Sequence, residues 1–271
     1  MEPAPMNNEA VIQLGRTVSV RLVGAHVALV TLQRPQVRNA IDAITALNLE
    51  QAVQLTDADS EVRCVILTGA GDQAFCAGAD LKAIANGEAA ALSTTRGGFA
   101  GFVHQPRRKP WIAAVNGLAL AGGTEIALAC DLIVAAGHAA FGLPEVRRGL
   151  VAAAGGLYRL TRAIPRALAI ELILTGEQLP AARAQAIGLV NQVVPGPELL
   201  ATAIALAERI SANAPLAVCE SLAVARAAFD HDDRVLREMS ASAIRAVAGS
   251  RDYLEGPRAF LERRPPHWSG T

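Results

Sequence analysis

Two carboxylates and two glycine-rich turns are the residues of this chain best suited to chemistry. In Ala121-Gly122-Gly123-Thr124-Glu125 a glycine pair opens an apolar run that reaches Cys130. Glycines there let the backbone come close to a ligand. The unpaired N–H groups of a helix start can meet an anion, including one that exists only in a transition state. Glu125 stands one turn inside that run, and acids are rarely buried without a reason. Taken alone, the stretch reads more simply as a glycine turn before a core helix, with Glu125 favourable to the helix dipole. A second backbone cradle, Gly78-Ala79, precedes Asp80, whose main job reads as capping a helix Leu81–Ile84. Glu145, following Pro144, reads by itself as an exposed loop acid. The five histidines have no HxxxH or HExxH spacing, so a histidine metal site is unsupported.

The elements that must position these groups follow from periodicity and turn residues. Ile112 to Val115 reads as a buried strand leading into the glycine pair. Upstream, Val18–Leu22 and Ala25–Leu32 predict a hairpin around Gly24. A helix then runs from Ala43 or Ile44 to Ala58, capped by Asn39 or Asp42. Val62–Thr68 predicts another buried strand. Gly69 to Ala74 after that strand resembles a dinucleotide fingerprint, but the fingerprint demands a helix at once, and small-residue backbone follows instead. Residues 86–108 read as a mobile segment flanking a site, and Arg107, Arg108 and Lys109 as a solvated face. Leu132–Ala136 and Ala139–Phe141 read as strands. Helices follow over 157–163, 166–174 and 181–187, with a last strand at Leu189–Val194. Beyond Pro195 come helices near 198–213, 215–229 and 232–248, and a shorter one within 252–268. The expected organisation is a flexible tail at 1–10, an α/β core over 11–195 that carries the site, and a helical region over 196–271.

Composition narrows the function classes. Lys plus Arg equals Asp plus Glu at 25 each, so no basic excess points to nucleic acid or to an anionic membrane surface. Hydrophobic residues reach 52% with 4% aromatic, so the core is built from Ala, Val, Leu and Ile and disorder is excluded for most of the chain. Cys64, Cys76, Cys130 and Cys219 lack paired spacing and read as reduced thiols, Cys64 and Cys130 as buried small hydrophobes. Met1 to Ala10 shows no signal-peptide pattern. Glu125 and Asp131 interrupt the most apolar region within the length that a membrane span needs. The expectation is a cytoplasmic protein with no nucleic-acid or membrane partner.

Several ordered motifs together resemble the enoyl-CoA hydratase/isomerase (crotonase) family. They are Ala74-Phe75-Cys76-Ala77-Gly78-Ala79-Asp80-Leu81-Lys82, Asn116-Gly117 through Gly122-Gly123-Thr124-Glu125 to Cys130-Asp131, Phe141-Gly142-Leu143-Pro144-Glu145, and Gly155-Gly156-Leu157-Tyr158-Arg159-Leu160. Leu174-Thr175-Gly176, Gly188-Leu189-Val190-Asn191 and the closing Glu255-Gly256 to Arg263-Arg264 continue the series, so the likeness runs from about Val18 to Trp268. The resemblance implies a core of repeated ββα turns with a C-terminal helical trimerisation region, assembled as a homotrimer or a hexamer of two trimers. It implies a coenzyme A thioester substrate, a place in fatty acid metabolism, and no cofactor beyond the coenzyme A that the substrate carries.

By the same resemblance the amides of Ala79 and Gly122 form an oxyanion hole. Glu125 activates water and Glu145 delivers a proton to the α-carbon, the pair that hydratases of the family carry. Coenzyme A and the acyl group are expected against Arg38, Ala40, Ala77, Asp80, Leu81, Lys82, Gly123 and Pro144. Three departures stand out. Ala121 replaces the first of three glycines. Val146 to Ala154 replaces a proline-glycine turn, as in branches that act on bulkier or branched thioesters. Ser269 stands where relatives often carry a lysine that reaches coenzyme A.

Overall fold

The computed structural model describes residues 11–271, and the tail expected at 1–10 lies outside the described residues. In chain order the strands are β1 (Ile12–Leu14), β2 (Val18–Leu22), β3 (Val27–Leu32), β4 (Cys64–Gly69), β5 (Ala74–Cys76), β6 (Ser93–Thr94), β7 (Gly98–Phe99), β8 (Trp111–Val115), β9 (Leu118–Leu120), β10 (Leu132–Ala136), β11 (Ala140–Gly142), β12 (Gln178–Pro180) and β13 (Gln192–Val194). The helices are α1 (Ala43–Ala58), α2 (Leu81–Ala85), α3 (Gly122–Ala129), α4 (Gly156–Ala163), α5 (Arg166–Thr175), α6 (Ala181–Ala186), α7 (Leu199–Ser211), α8 (Pro215–Ala227), α9 (Asp233–Ala248) and α10 (Arg251–Glu262).

One sheet runs β1-β2-β3-β4-β8-β10-β13. The hairpin end is antiparallel, and from β3 onward every neighbouring pair is parallel. Strands buried on both faces lose the alternating pattern and read as continuous apolar runs. That is why CVILTG and WIAAV, both almost wholly buried, were legible as strands. Helix α1 packs on β1, β2 and β3, and α7 on β3, β4, β8 and β10. Asp42 caps α1, its side chain accepting the Thr45 N–H. This resolves the choice left open between Asn39 and Asp42.

A second sheet, β12-β11-β9-β5, matters most for the site. Strands β5, β9 and β11 lie side by side and parallel. Each is three residues long, too short to show a periodicity, so only β11 was anticipated. In place of a dinucleotide-type helix after Gly69, the chain enters β5. The last strand also begins later than expected, at Gln192, because Leu189 and Val190 bond to the α6 turn at Ala184 O.

Of the basic triplet only Arg108 is exposed; Arg107 and Lys109 turn inward. Arg107 donates to the carbonyls of Phe102 and Ala129 and lies over the Phe102 ring, 4.1 Å from its centroid. The Lys109 Nζ donates to Thr56 O and Asp59 O. Both side chains tie the core together through backbone acceptors, a use that sequence alone does not reveal. Residues 86–108 do flank the cavity described below, yet they hold the β6–β7 hairpin, tied down where Thr94 Oγ1 donates to Glu50 Oε1 at 3.1 Å. Among the described residues, no helix is long and apolar enough to cross a membrane. The four cysteines are unpaired, with Cys64 and Cys76 buried and Cys130 half-buried.

Candidate active site

The small sheet delivers three functional groups to one place. The chain leaves β5 at Cys76 and reaches Ala79 three residues later, leaves β9 at Leu120 and reaches Gly122 two later, and leaves β11 at Gly142 and reaches Glu145 three later. Because the strands are parallel, all three exits lie at the same end, where open α/β sheets commonly bind ligands. A cavity of about 790 Å³ opens there, lined by Ala79, Gly122, Glu125 and Glu145.

Two backbone amides are unused. Ile41 N–H donates to Gly78 O and Asp80 N–H to Ile41 O, both at 2.8 Å, a one-residue parallel bridge around Ala79. That bridge leaves the Ala79 N–H on the opposite side. Ala121 N–H donates to Gly142 O at 2.9 Å, and Gly122 begins α3, where no intrahelical acceptor exists. Among the described residues neither the Ala79 nor the Gly122 N–H has an acceptor, whereas buried N–H groups are nearly always paired. The start of α3 is fixed by Thr124, whose Oγ1 lies 2.6 Å from Ala119 O and accepts the Gly142 N–H at 3.0 Å. A Cβ on Gly123 would come within 1.9 Å of Cys76 O, and one on Gly122 within 2.3 Å of the Phe99 ring. Both glycines are therefore close-approach positions. Ala121 adopts φ +52°, ψ −126°, a conformation that suits glycine.

The two acids sit in unlike surroundings. Glu125 is 3% exposed, and its Oε1 accepts the Gly156 N–H at 2.9 Å. Burial pushes its carboxyl up, while the N–H groups of Gly156 and Ala154 and the charge of Arg159 oppose that rise. Glu145 is 9% exposed, and its Oε2 has no partner among the described residues. Burial pushes it up to about 7; a bond from its own backbone N–H and Arg148 act against this, and the Glu125 charge adds to it. Glu145 is thus not the exposed loop acid that it resembles when read by itself. A single turn, Pro144–Arg148, folds it inward after β11.

Of the expected binding residues, Arg38, Ala40, Ala77, Asp80, Leu81 and Pro144 line the same cavity, while Lys82 and Gly123 do not. Lys82 is exposed, and its N–H caps onto Asp80 Oδ1 at 3.0 Å. Gly123 packs against β5. Asp80 also accepts from Arg34 at 3.0 Å, an inward tether that fixes the turn around Ala79. Ser269 bonds to Asp252 through both its N–H, at 2.7 Å, and its Oγ, at 2.9 Å, and so clasps the tail onto α10. Residue-by-residue reading missed Arg34, Phe99, Thr124 and the amide donors at Ala154 and Gly156. Only Gly155-Gly156 left a signal there, with Gly155 at φ +111°. Among the described residues no group of three His, Cys, Asp or Glu gathers to hold a metal ion.

The sequence model for enoyl-CoA hydratase/isomerase matches residues 23–271. A carnitinyl-CoA dehydratase from Salmonella arizonae is 43% identical over 246 residues, spanning 89% of this chain and 94% of its own. The crystal structure of an enoyl-CoA hydratase from Mycobacterium tuberculosis superposes with a TM-score of 0.90 at 46% identity, covering 95% of this chain and 100% of that one. A carnitinyl-CoA hydratase from Mycobacterium avium gives a TM-score of 0.73 at 44% identity, with the same coverage.

Proposed function

Since the chain belongs to the enoyl-CoA hydratase/isomerase (crotonase) family, we propose that it adds water reversibly across the double bond of a 2-enoyl-CoA, giving a 3-hydroxyacyl-CoA. The observation that carries this reading is the pair of buried glutamates lining the same cavity as two unused amides. In the proposed complex the thioester oxygen accepts from the Ala79 and Gly122 N–H groups. As water attacks the β-carbon, electrons move through the α-carbon onto that oxygen, and the amides meet the growing charge. Each such donor supplies roughly 3–4 kcal/mol in a dry site.

The surroundings of the acids support a division of labour. Burial raises the Glu125 carboxyl, but two amides and Arg159 oppose that rise in favour of the charged form, which suits the base that takes a proton from water. Glu145, with a carboxyl near 7, keeps a proton in about half of the molecules at neutral pH, which suits delivery to the α-carbon. Dehydration runs the same steps backward, so the proton count of the pair is the same in both directions. No cofactor is needed beyond the coenzyme A of the substrate. Arg38 and the turn around Ala77 to Leu81 are proposed to meet that coenzyme A.

A second reading is dehydration of a bulkier 3-hydroxyacyl-CoA. It is favoured by Leu150, Val151 and Ala153, which line the cavity within the stretch that departs from the family pattern. Rates of crotonyl-CoA hydration, set against a panel of longer and branched 2-enoyl and 3-hydroxyacyl thioesters scored by kcat/KM, test both readings. Absence of turnover across the panel would remove them. The C-terminal helices are proposed to serve assembly as a homotrimer or hexamer. In support, α10 exposes Leu254, Phe260 and Leu261 at 72%, 82% and 80%.

A further inference from the structure

Glu125 is held by a chain of contacts that ends on a charged side chain outside the cavity. Its Oε1 accepts from Gly156, and its side chain lies against that glycine, since a Cβ there would come within 3.1 Å of Glu125 Cγ. The preceding Gly155 is in the left-handed region at φ +111°, and a Cβ on it would come within 2.1 Å of Arg159 Nη1. The same Nη1 donates to Ala154 O at 3.0 Å, and Nη2 donates to Val103 O at 2.6 Å. One guanidinium therefore spans the turn 154–156, which supplies both amides to Glu125, and the segment just after Phe99, whose ring covers Gly122.

We infer that Arg159 is a positioning residue: its fork fastens the Glu125 turn to the 98–104 segment and so sets both the place and the charge of the water-activating carboxylate. This rests on the hydratase reading for its kinetic consequence, though not for its geometry. A planar fork with two aligned donors suits the task, and lysine, a point charge on a flexible stem, cannot reproduce it. The charged and titratable groups around Glu125 are Glu145 on the turn after β11, Arg148 beyond it, Arg159 on α4, and His104, Arg38 and Asp80 on the cavity walls. Among these, Arg159 is the cation that lowers the Glu125 carboxyl, against the larger effect of burial.

The test compares Arg159→Ala and Arg159→Lys with the wild type in thioester hydration and in a ¹³C titration of the Glu125 carboxyl. Loss of the cation raises the Glu125 carboxyl. In Arg159→Ala the acid limb of kcat should therefore move to higher pH, with kcat down about ten- to a hundredfold and KM changed far less. Arg159→Lys keeps the charge without the fork, so its acid limb should stay near the wild type while kcat still falls. An unmoved carboxyl midpoint in Arg159→Ala, or an unchanged kcat in either variant, overturns the inference. If Arg159→Ala fails to fold, the kcat of Arg159→Lys decides. If no thioester is turned over at all, the hydratase reading fails by itself, and the carboxyl titration still decides the role of Arg159.

Discussion

Glu125 and Glu145 face the same cavity with unlike hydrogen bonding: the first is held by the Gly156 N–H at 2.9 Å, while Oε2 of the second accepts nothing among the described residues. Amides that favour the charged form of Glu125 and a raised carboxyl at Glu145 suit a base and an acid. Glu125→Gln and Glu145→Gln keep the shape and remove the proton transfer. Each should lower hydration by about a hundred- to ten-thousandfold with the circular dichroism spectrum unchanged. Full activity in both variants would remove the proposed mechanism.

The pH dependence has a definite sign. With a carboxyl at about 7, Glu145 loses its proton as the pH climbs through neutrality, so hydration should decline above about pH 7. The apparent midpoint belongs to the interacting pair. Stability moves the same way. A carboxyl held above its unfolded value of 4.5 makes the fold most stable below that value and progressively less stable as the pH rises through about 7. Urea midpoints measured between pH 5 and pH 8 should therefore fall more steeply for the wild type than for Glu145→Gln. Parallel curves would refute the assignment.

Two backbone positions beside the proposed oxyanion hole should respond in opposite directions. Gly123→Ala forces a methyl onto Cys76 O, where only 1.9 Å is free, and should cost about 1–3 kcal/mol by chemical denaturation. Ala121→Gly relieves a positive-φ conformation that suits glycine and should stabilise the fold by about 1 kcal/mol. A destabilised Ala121→Gly variant would show that the methyl packs well enough to offset its strain.

The apolar face of α10 makes a prediction about assembly. Replacing Leu254, Phe260 and Leu261 together with serine removes exposed apolar area and touches no residue lining the cavity. Sedimentation velocity should show a shift toward monomer, with the helical content retained. An unaltered sedimentation coefficient would place the interface elsewhere.

Much of the large sheet and all of the long helices were legible, because buried parallel strands, and helices opened by a capping residue or a proline, leave marks several residues long. The site was legible only in part. The Gly122-Gly123 pair and the small-residue turn at Gly78-Ala79 announced the two cradles, and the ordered motifs joined Glu145 to Glu125. Glu145 alone carried no such mark, since its burial follows from a single turn after β11. Arg34, Arg107 and Arg159 look in sequence like ordinary surface cations. Their acceptors are largely carbonyl oxygens, which every residue has and no sequence pattern displays.

The exits of β5, β9 and β11 have one more consequence. Neighbouring strands are spaced by their backbone hydrogen bonds at about 4.8 Å, so the small sheet works as a ruler for the groups mounted on it. Side chains around the rim can be exchanged for others without disturbing that ruler, and new acyl groups can be accommodated while the reactive atoms keep their separations. An insertion or deletion of one residue inside any of the three strands would reset the scale, and no substitution at the rim could restore it.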